Sequence, residues 1–255
     1  DELMAVAREY HKRNIPVSVI VADFFHWPNQ GDWKFDSTYW PDPKKMVEEL
    51  KNMGMELMVS VWPTVEKSSE NYEEMKDEGY LIQTDHGVAN HILSDSAIMD
   101  ATNPACRKYV WNKIRNNYYK DGIHIFWLDE AEPELTGYEF DHYRFFAGSD
   151  KEIGNIYPKE YARMAFEGMQ EEGMDKILNL IRCAWIGSQK YGALVWSGDI
   201  DSSFSSLRNQ IVAGQNMGIA GISWWTTDIG GFCGADISDP KFKELLIRWF
   251  QFGTF

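Results

Sequence analysis

Two stretches of this 255-residue chain run apolar or aromatic and then turn acidic. One is Ile123-His124-Ile125-Phe126-Trp127-Leu128-Asp129, followed by Glu130-Ala131-Glu132-Pro133-Glu134. The other is Ala193-Leu194-Val195-Trp196-Ser197-Gly198-Asp199. Each reads as a buried strand delivering a carboxylate at its C-terminal end, where parallel α/β folds keep their catalytic groups. Such a pair suits hydrolysis of a glycosidic bond. One carboxylate attacks the anomeric carbon while the other, protonated, donates to the leaving oxygen; in retaining enzymes the two lie roughly 5–5.5 Å apart. A lone strand-terminal Asp is more often a loop cap than a catalyst. Two of them, each preceded by a Trp-containing strand, weigh toward an enzyme.

Other residues could join them. Arg182 sits in Asn179-Leu180-Ile181-Arg182-Cys183-Ala184-Trp185, where a guanidinium cannot be buried cheaply without partners. It either holds a substrate hydroxyl and keeps a neighbouring carboxylate ionised, or makes a structural ion pair across the mouth of the fold. Asp23 opens the loop Phe24-Phe25-His26-Trp27 and suits either sugar hydroxyls or a loop cap. Trp33, Trp62, Trp185 and Trp196 offer flat faces for stacking on sugars or for packing. His26, His86 and His91 do not make a metal set, and the acids Glu130, Glu132 and Glu134 lack the ligand spacing of a cation site.

The elements that must position these residues alternate. Helices are expected over 1–14 (Leu3, Val6, Ala7 and Tyr10 on one face), 43–53 (Met46, Val47, Leu50 and Met53, stopping at Gly54), 68–79, 104–120, 158–172, 201–216 and 241–250. Strands are expected over 16–23, 56–62, 123–129, 177–182, 193–199 and 219–225, each buried on both sides. Residues 65–100 read as a helix plus a long surface loop through His86, Asn90 and His91. Six strands alternating with helices give an α/β chain, either a (β/α)8 TIM barrel or a doubly wound sheet. No GxGxxG loop follows the first strand, which weakens the doubly wound, dinucleotide-binding version. The strand ends Asp23, Trp62, Asp129, Arg182 and Asp199, with Asp228 beyond the last, form a ring that suits a barrel mouth. The expectation is an incomplete barrel whose first and last strands are missing from this chain.

Composition narrows the partners. A net charge of −14 without a basic stripe disfavours nucleic acid. Aromatic content of 15%, with 11 Trp, exceeds the needs of a plain core and fits a sugar cleft. Cys106, Cys183 and Cys233 form neither a disulfide framework nor a CxxC pattern, which fits a reducing, cytoplasmic compartment. No apolar stretch approaches the length of a membrane span, so no membrane contact is expected. At this length one domain is the default.

Several of these segments, in this order along the chain, resemble glycoside hydrolase family 31, the α-glucosidase and α-xylosidase family. Trp127-Leu128-Asp129 resembles its nucleophile motif, and Trp196-Ser197-Gly198-Asp199 resembles its WxGD acid/base motif. Arg182-Cys183-Ala184 is similar to its Arg-Ser-Ala element, and Trp224-Trp225-Thr226-Thr227-Asp228-Ile229-Gly230-Gly231-Phe232 to its strand-seven segment. The resemblance implies Asp129 as nucleophile and Asp199 as acid/base. It implies Asp23, Trp33, Trp62, Arg182, Trp196 and Asp228 as substrate contacts or supports, and no metal or organic cofactor. The implied reaction is retaining hydrolysis of a terminal non-reducing α-linked sugar in an oligosaccharide or small α-glycoside.

The run Asp129-Glu130-Ala131-Glu132-Pro133-Glu134 resembles the α-xylosidase branch; α-glucosidase and α-glycosyl transfer are the alternatives within the family. Family members also carry flanking β-domains and a sugar-binding histidine beyond the last residue here. Residues 1–255 are therefore expected to be a partial catalytic barrel, with open strand edges that favour self-association. A carbohydrate-binding fragment without turnover is the reading of a different class, and a metal-dependent barrel hydrolase is the third.

Overall fold

The computed structural model describes residues 2–85, 96–133, 135 and 140–254; His86, Asn90, His91 and Glu134 lie outside them. In chain order the elements are α1 (Glu2–Lys12), β1 (Val19–Ala22), α2 (Pro43–Asn52), β2 (Glu56–Val61), β3 (Thr64–Val65), α3 (Tyr72–Asp77), β4 (Gln83–Thr84) and β5 (Ala97–Ile98). Then come α4 (Pro104–Asn117), β6 (Ile125–Leu128), β7 (Tyr143–Phe145), β8 (Gly148–Ser149), α5 (Asp150–Ile153) and α6 (Tyr157–Glu171). Finally there are β9 (Asn179–Ile181), β10 (Ala193–Trp196), α7 (Phe204–Ile219), β11 (Trp225–Thr226) and α8 (Pro240–Gly253).

Three of these helices start where the sequence writes an Asx-Pro pair. Asp42, Asn103 and Asp239 each accept a backbone N–H of the first turn, at 3.0, 2.9 and 2.9 Å, and the following proline occupies the first helical position. Proline gives up no hydrogen bond there, because that N–H has no partner within the helix. Gly54 follows α2 at φ +77°, the left-handed stop that glycine accommodates.

Six strands form one parallel sheet in the order β1-β2-β6-β9-β10-β11. This is the parallel α/β arrangement of a partial (β/α)8 barrel. The sheet is curled. Two inter-strand steps separate β6 from β10, about 10 Å across a flat sheet, yet the Trp127 and Trp196 rings that they carry meet with centroids 5.4 Å apart.

The core lies between this sheet and the helices outside it. Leu57, Val59, Val61, Phe126, Leu128, Ile181, Ala193 and Val195 pack there with Leu50, Val110, Trp111, Ile114, Tyr161 and Met169. Gly168 on α6 permits the closest approach: a Cβ at that position would stand 2.2 Å from the Trp111 indole of α4. Any larger residue there would force the two helices apart.

Four expectations need correction. Residues 65–100 do not simply continue from a helix into a surface loop. β3 pairs with β5, while β4 joins β7 and β8 in a small antiparallel sheet, pairings between strands of two or three residues that carry no periodicity of their own. The strand expected over 219–225 is only Trp225–Thr226, because α7 continues to Ile219 and the chain then turns at Gly221, φ +81°. The strands are not all buried on both faces, since Val21 of β1 and Thr226 of β11, in the edge strands, are exposed. α1 buries Met4 and Ala7, leaving Val6 and Tyr10 exposed.

Candidate active site

Strand alternation selects the residues that reach the inner face. On β2, Leu57, Val59 and Val61 enter the helix-side core, so Met58, Ser60 and Trp62 take the opposite face. On β6, Phe126 and Leu128 enter the core, leaving Ile125, Trp127 and Asp129; on β9 Ile181 does, leaving Leu180 and Arg182. On β10, Ala193 and Val195 do, leaving Leu194 and Trp196. The contact between Trp127 and Trp196, edge to face with centroids 5.4 Å apart, is the expected result.

Asp129 and Arg182 are held by ladder hydrogen bonds past the formal strand ends. Asp129 N–H donates to Val61 O at 3.1 Å, and Arg182 N–H to Leu128 O at 3.3 Å. Their side chains therefore project from rigid backbone, which suits a site needing fixed geometry. Arg182 is the hub. Its Nη1 lies 2.7 Å from Glu130 Oε1 and 3.5 Å from Asp129 Oδ1, its Nε 3.0 Å from Glu132 Oε1, and its Nη2 3.8 Å from Asp199 Oδ2. Burial opposes the guanidinium charge, but Glu132, Glu130, Asp129 and Asp199 outweigh it and raise the pKa of Arg182.

The two candidate catalytic acids sit in unlike surroundings. Asp129 is 8% exposed. Burial raises its pKa and Asp199 adds to that, while the Glu130 N–H at 2.9 Å and Arg182 act in the opposite direction. Both contacts fall on Oδ1, and neither engages Oδ2. The Asp199 side chain is 45% exposed, on a turn made by Gly198 at φ +71°. Ser197 Oγ lies 3.1 Å from Thr227 Oγ1, tying the Asp199 turn to the one that carries Asp228.

Asp228 is raised to about 6, by burial first and then by Asp199 and Asp129. Asp23 is raised by burial and by Asp199, against the Phe24 N–H that its Oδ1 accepts at 2.7 Å. Thus Asp23, Asp129, Asp199 and Asp228, from four different strand ends, share one electrostatic neighbourhood.

The aromatic candidates divide. Trp33 is 2% exposed and donates its indole N–H to Trp62 O at 3.0 Å, just past the end of β2. Trp62 is stacked by Phe24, with centroids 5.0 Å apart and planes at 6°. Trp196 is buried against Trp127, whereas Trp185 is exposed. His26 is buried, its Nδ1 2.7 Å from Asp23 O and its Nε2 2.8 Å from Tyr118 Oη. Only an N–H can meet the carbonyl, so Nδ1 carries the proton and Tyr118 donates to Nε2. Burial takes this histidine down to about 4, and it braces the Asp23 loop as a neutral ring.

Sequence reasoning missed Glu130 and Glu132 as partners of Arg182, and the Ser197–Thr227 link. The acidic run after Asp129 was the available signal for the first of these. Among the described residues no group of three or more His, Cys, Asp or Glu is arranged to hold a metal ion, and none of the helices is long and apolar enough to cross a membrane. A cleft of about 870 Å3 opens beside β1. It is lined by β1, α1, α2 and the chain between β1 and α2, Asp23 and Phe24 included, not by the strand ends around Arg182.

Two consequences can be checked on stability. Arg182→Met removes the cation shared by four carboxylates and is expected to cost about 3 kcal/mol at pH 7. Urea unfolding of the two proteins at pH 7 reads the loss. Asp228 binds its proton more tightly folded than unfolded, where an aspartate ionises near 3.8. Its contribution is present in full below about 3.8 and is lost as pH rises through about 6. Asp228→Asn should therefore raise stability at pH 7, by about 1 kcal/mol once solvent screening is allowed for, and change nothing at pH 3.5.

A curled parallel sheet with acids and an arginine at its C-terminal strand ends defines a partial α/β-barrel domain. Along its whole length, residues 1–255, the chain matches the TIM-barrel domain model of the glycosyl hydrolases family 31, and it belongs to that family. It is 56% identical over 256 residues to the uncharacterized family 31 glucosidase ORF2 of Pseudescherichia vulneris, covering all of this chain and 48% of that protein. It is 36% identical over 263 residues to an α-xylosidase of Saccharolobus solfataricus, covering all of this chain and 34% of that one. The crystal structure of a family 31 α-xylosidase from a soil metagenome, complexed with xylose, superposes with a TM-score of 0.96 at 62% identity. It covers 99% of this chain and 38% of the other. The chain thus spans a third to a half of these three relatives.

Proposed function

We propose that residues 1–255 form a catalytic barrel unit that hydrolyses terminal, non-reducing α-xylosides with retention of configuration. The observation that carries the reading is the Arg182 guanidinium, within 4 Å of both Asp129 and Asp199, at strand ends where barrel enzymes keep their chemistry. Asp129 Oδ2 attacks the anomeric carbon as Asp199 gives its proton to the departing oxygen, breaking the glycosidic bond and leaving a glycosyl ester on Asp129. Asp199, now a carboxylate, takes a proton from water. That water attacks the anomeric carbon and frees Asp129 and the sugar. Asp23 and Arg182 contact sugar hydroxyls, and such contacts accelerate the reaction to the extent that they tighten as the ring flattens.

The Phe24–Trp62 stack next to Asp23 supports a preference for xylose, as bulk that would oppose the extra CH2OH of glucose. The xylosidases among the relatives support this choice, and the 56%-identical glucosidase supports α-glucosidase as the second reading. Release of p-nitrophenol from the α-xyloside and the α-glucoside at equal protein separates the two. The expected result is faster turnover of the xyloside. A faster glucoside selects the second reading, and binding of sugar without turnover of either sinks both.

A further inference from the structure

We infer that Glu130 is a positioning residue, which draws the Arg182 guanidinium off Asp129 so that the nucleophile is steered by the arginine without being tied to it. The inference rests on the assignment of Asp129 as nucleophile. The distances set out the argument. Arg182 makes its short contacts with Glu130 and Glu132, at 2.7 and 3.0 Å, and its long ones with Asp129 and Asp199, at 3.5 and 3.8 Å. An arginine beside an unopposed aspartate would close into a two-bond pair and occupy both carboxylate oxygens. An attacking carboxylate held that way loses the lone pair it must use. Here the guanidinium is shared out, and Asp129 keeps Oδ2 open.

The backbone makes this possible. Consecutive strand residues point to opposite faces, so Glu130 should turn away from Asp129. Instead Glu130 adopts φ +52°, a left-handed conformation uncommon outside glycine. Such strain is retained where the surroundings over-determine it, often at functional sites. The residue is then used twice. Its N–H meets Asp129 Oδ1 at 2.9 Å, and its carboxylate, 5% exposed with the rest of the residue, reaches Arg182. A loop cap alone would need the first contact and not the second.

Glu130→Gln keeps the shape and removes the charge. Turnover of the α-xyloside should fall on the order of a hundredfold in kcat with little change in KM, as expected for a misplaced reacting group. The acid limb of the kcat/KM profile should move to lower pH, because Asp129 loses an anionic neighbour and gains the arginine. Glu130→Asp, which keeps the charge, should recover the wild-type limb and most of the rate. A Glu130→Gln enzyme with wild-type kcat and limb overturns the inference, as does a rate loss that merely follows the folded fraction. Carboxyl-carbon NMR titration of Asp129, assigned by its disappearance in Asp129→Asn, reads the same shift without turnover. If the wild type proves inactive, the functional reading fails, and an Asp129 titration unchanged by Glu130→Gln removes this inference as well.

Discussion

Asp129→Asn is expected to lower α-xyloside turnover by about five orders of magnitude, in the range found when an enzyme loses its covalent nucleophile. The amide nitrogen and the neutral oxygen of Asn cannot form the glycosyl ester, while the Arg182 contacts to Glu130 and Glu132 remain. The same variant should be no less stable than the wild type at pH 7. Burial raises the Asp129 pKa above its unfolded value, so its contribution to stability is present at low pH and is lost as pH rises through the folded pKa. At neutral pH the ionised group therefore strains the fold it serves, a common stability–activity conflict at functional sites. Unfolding in urea at pH 7, beside turnover of the two proteins, checks both halves. A large drop in stability would make Asp129 a structural residue first.

The second large effect is at Asp199, and it depends on the leaving group. With a sugar as the departing group, Asp199→Ala should lose about 10³–10⁴-fold in kcat/KM, the range of a missing general acid. With p-nitrophenol, which departs without needing a proton, the first step should survive nearly intact. Hydrolysis of the ester then becomes slow for want of a base, so kcat and KM fall together. Added azide, which attacks without base assistance, should restore kcat and yield the glycosyl azide. Equal losses on both leaving groups would mean that Asp199 does not handle the proton.

Legibility in the sequence followed the strength of the local signal. The six sheet strands were readable in order because β2, β6 and β10 are apolar runs flanked by turns, and Asp42-Pro43, Asn103-Pro104 and Asp239-Pro240 mark helix starts. The acids at the strand ends were readable for the same reason: a charge directly after a buried run stands out. Trp33 was less legible, because an indole fills a core and covers a sugar equally well; in the fold it is buried with its N–H on Trp62 O. Glu130 was hidden more deeply. Its neighbour in sequence should lie on the other face of the strand, and only the left-handed turn at residue 130 brings both to Arg182. The β3–β5 and β4–β7–β8 pairings were invisible because strands of two or three residues are made by partners far away in the chain, not by their own pattern.

The most direct measurement is the anomeric configuration of the first sugar released, followed by proton NMR before mutarotation scrambles it. If Asp129 and Asp199 act in the roles assigned to them, two displacements occur at the anomeric carbon, and an α-xyloside yields α-xylose first, with the β anomer growing in later. β-Xylose appearing first would mean a single displacement by water, with no ester on Asp129, and would contradict the account.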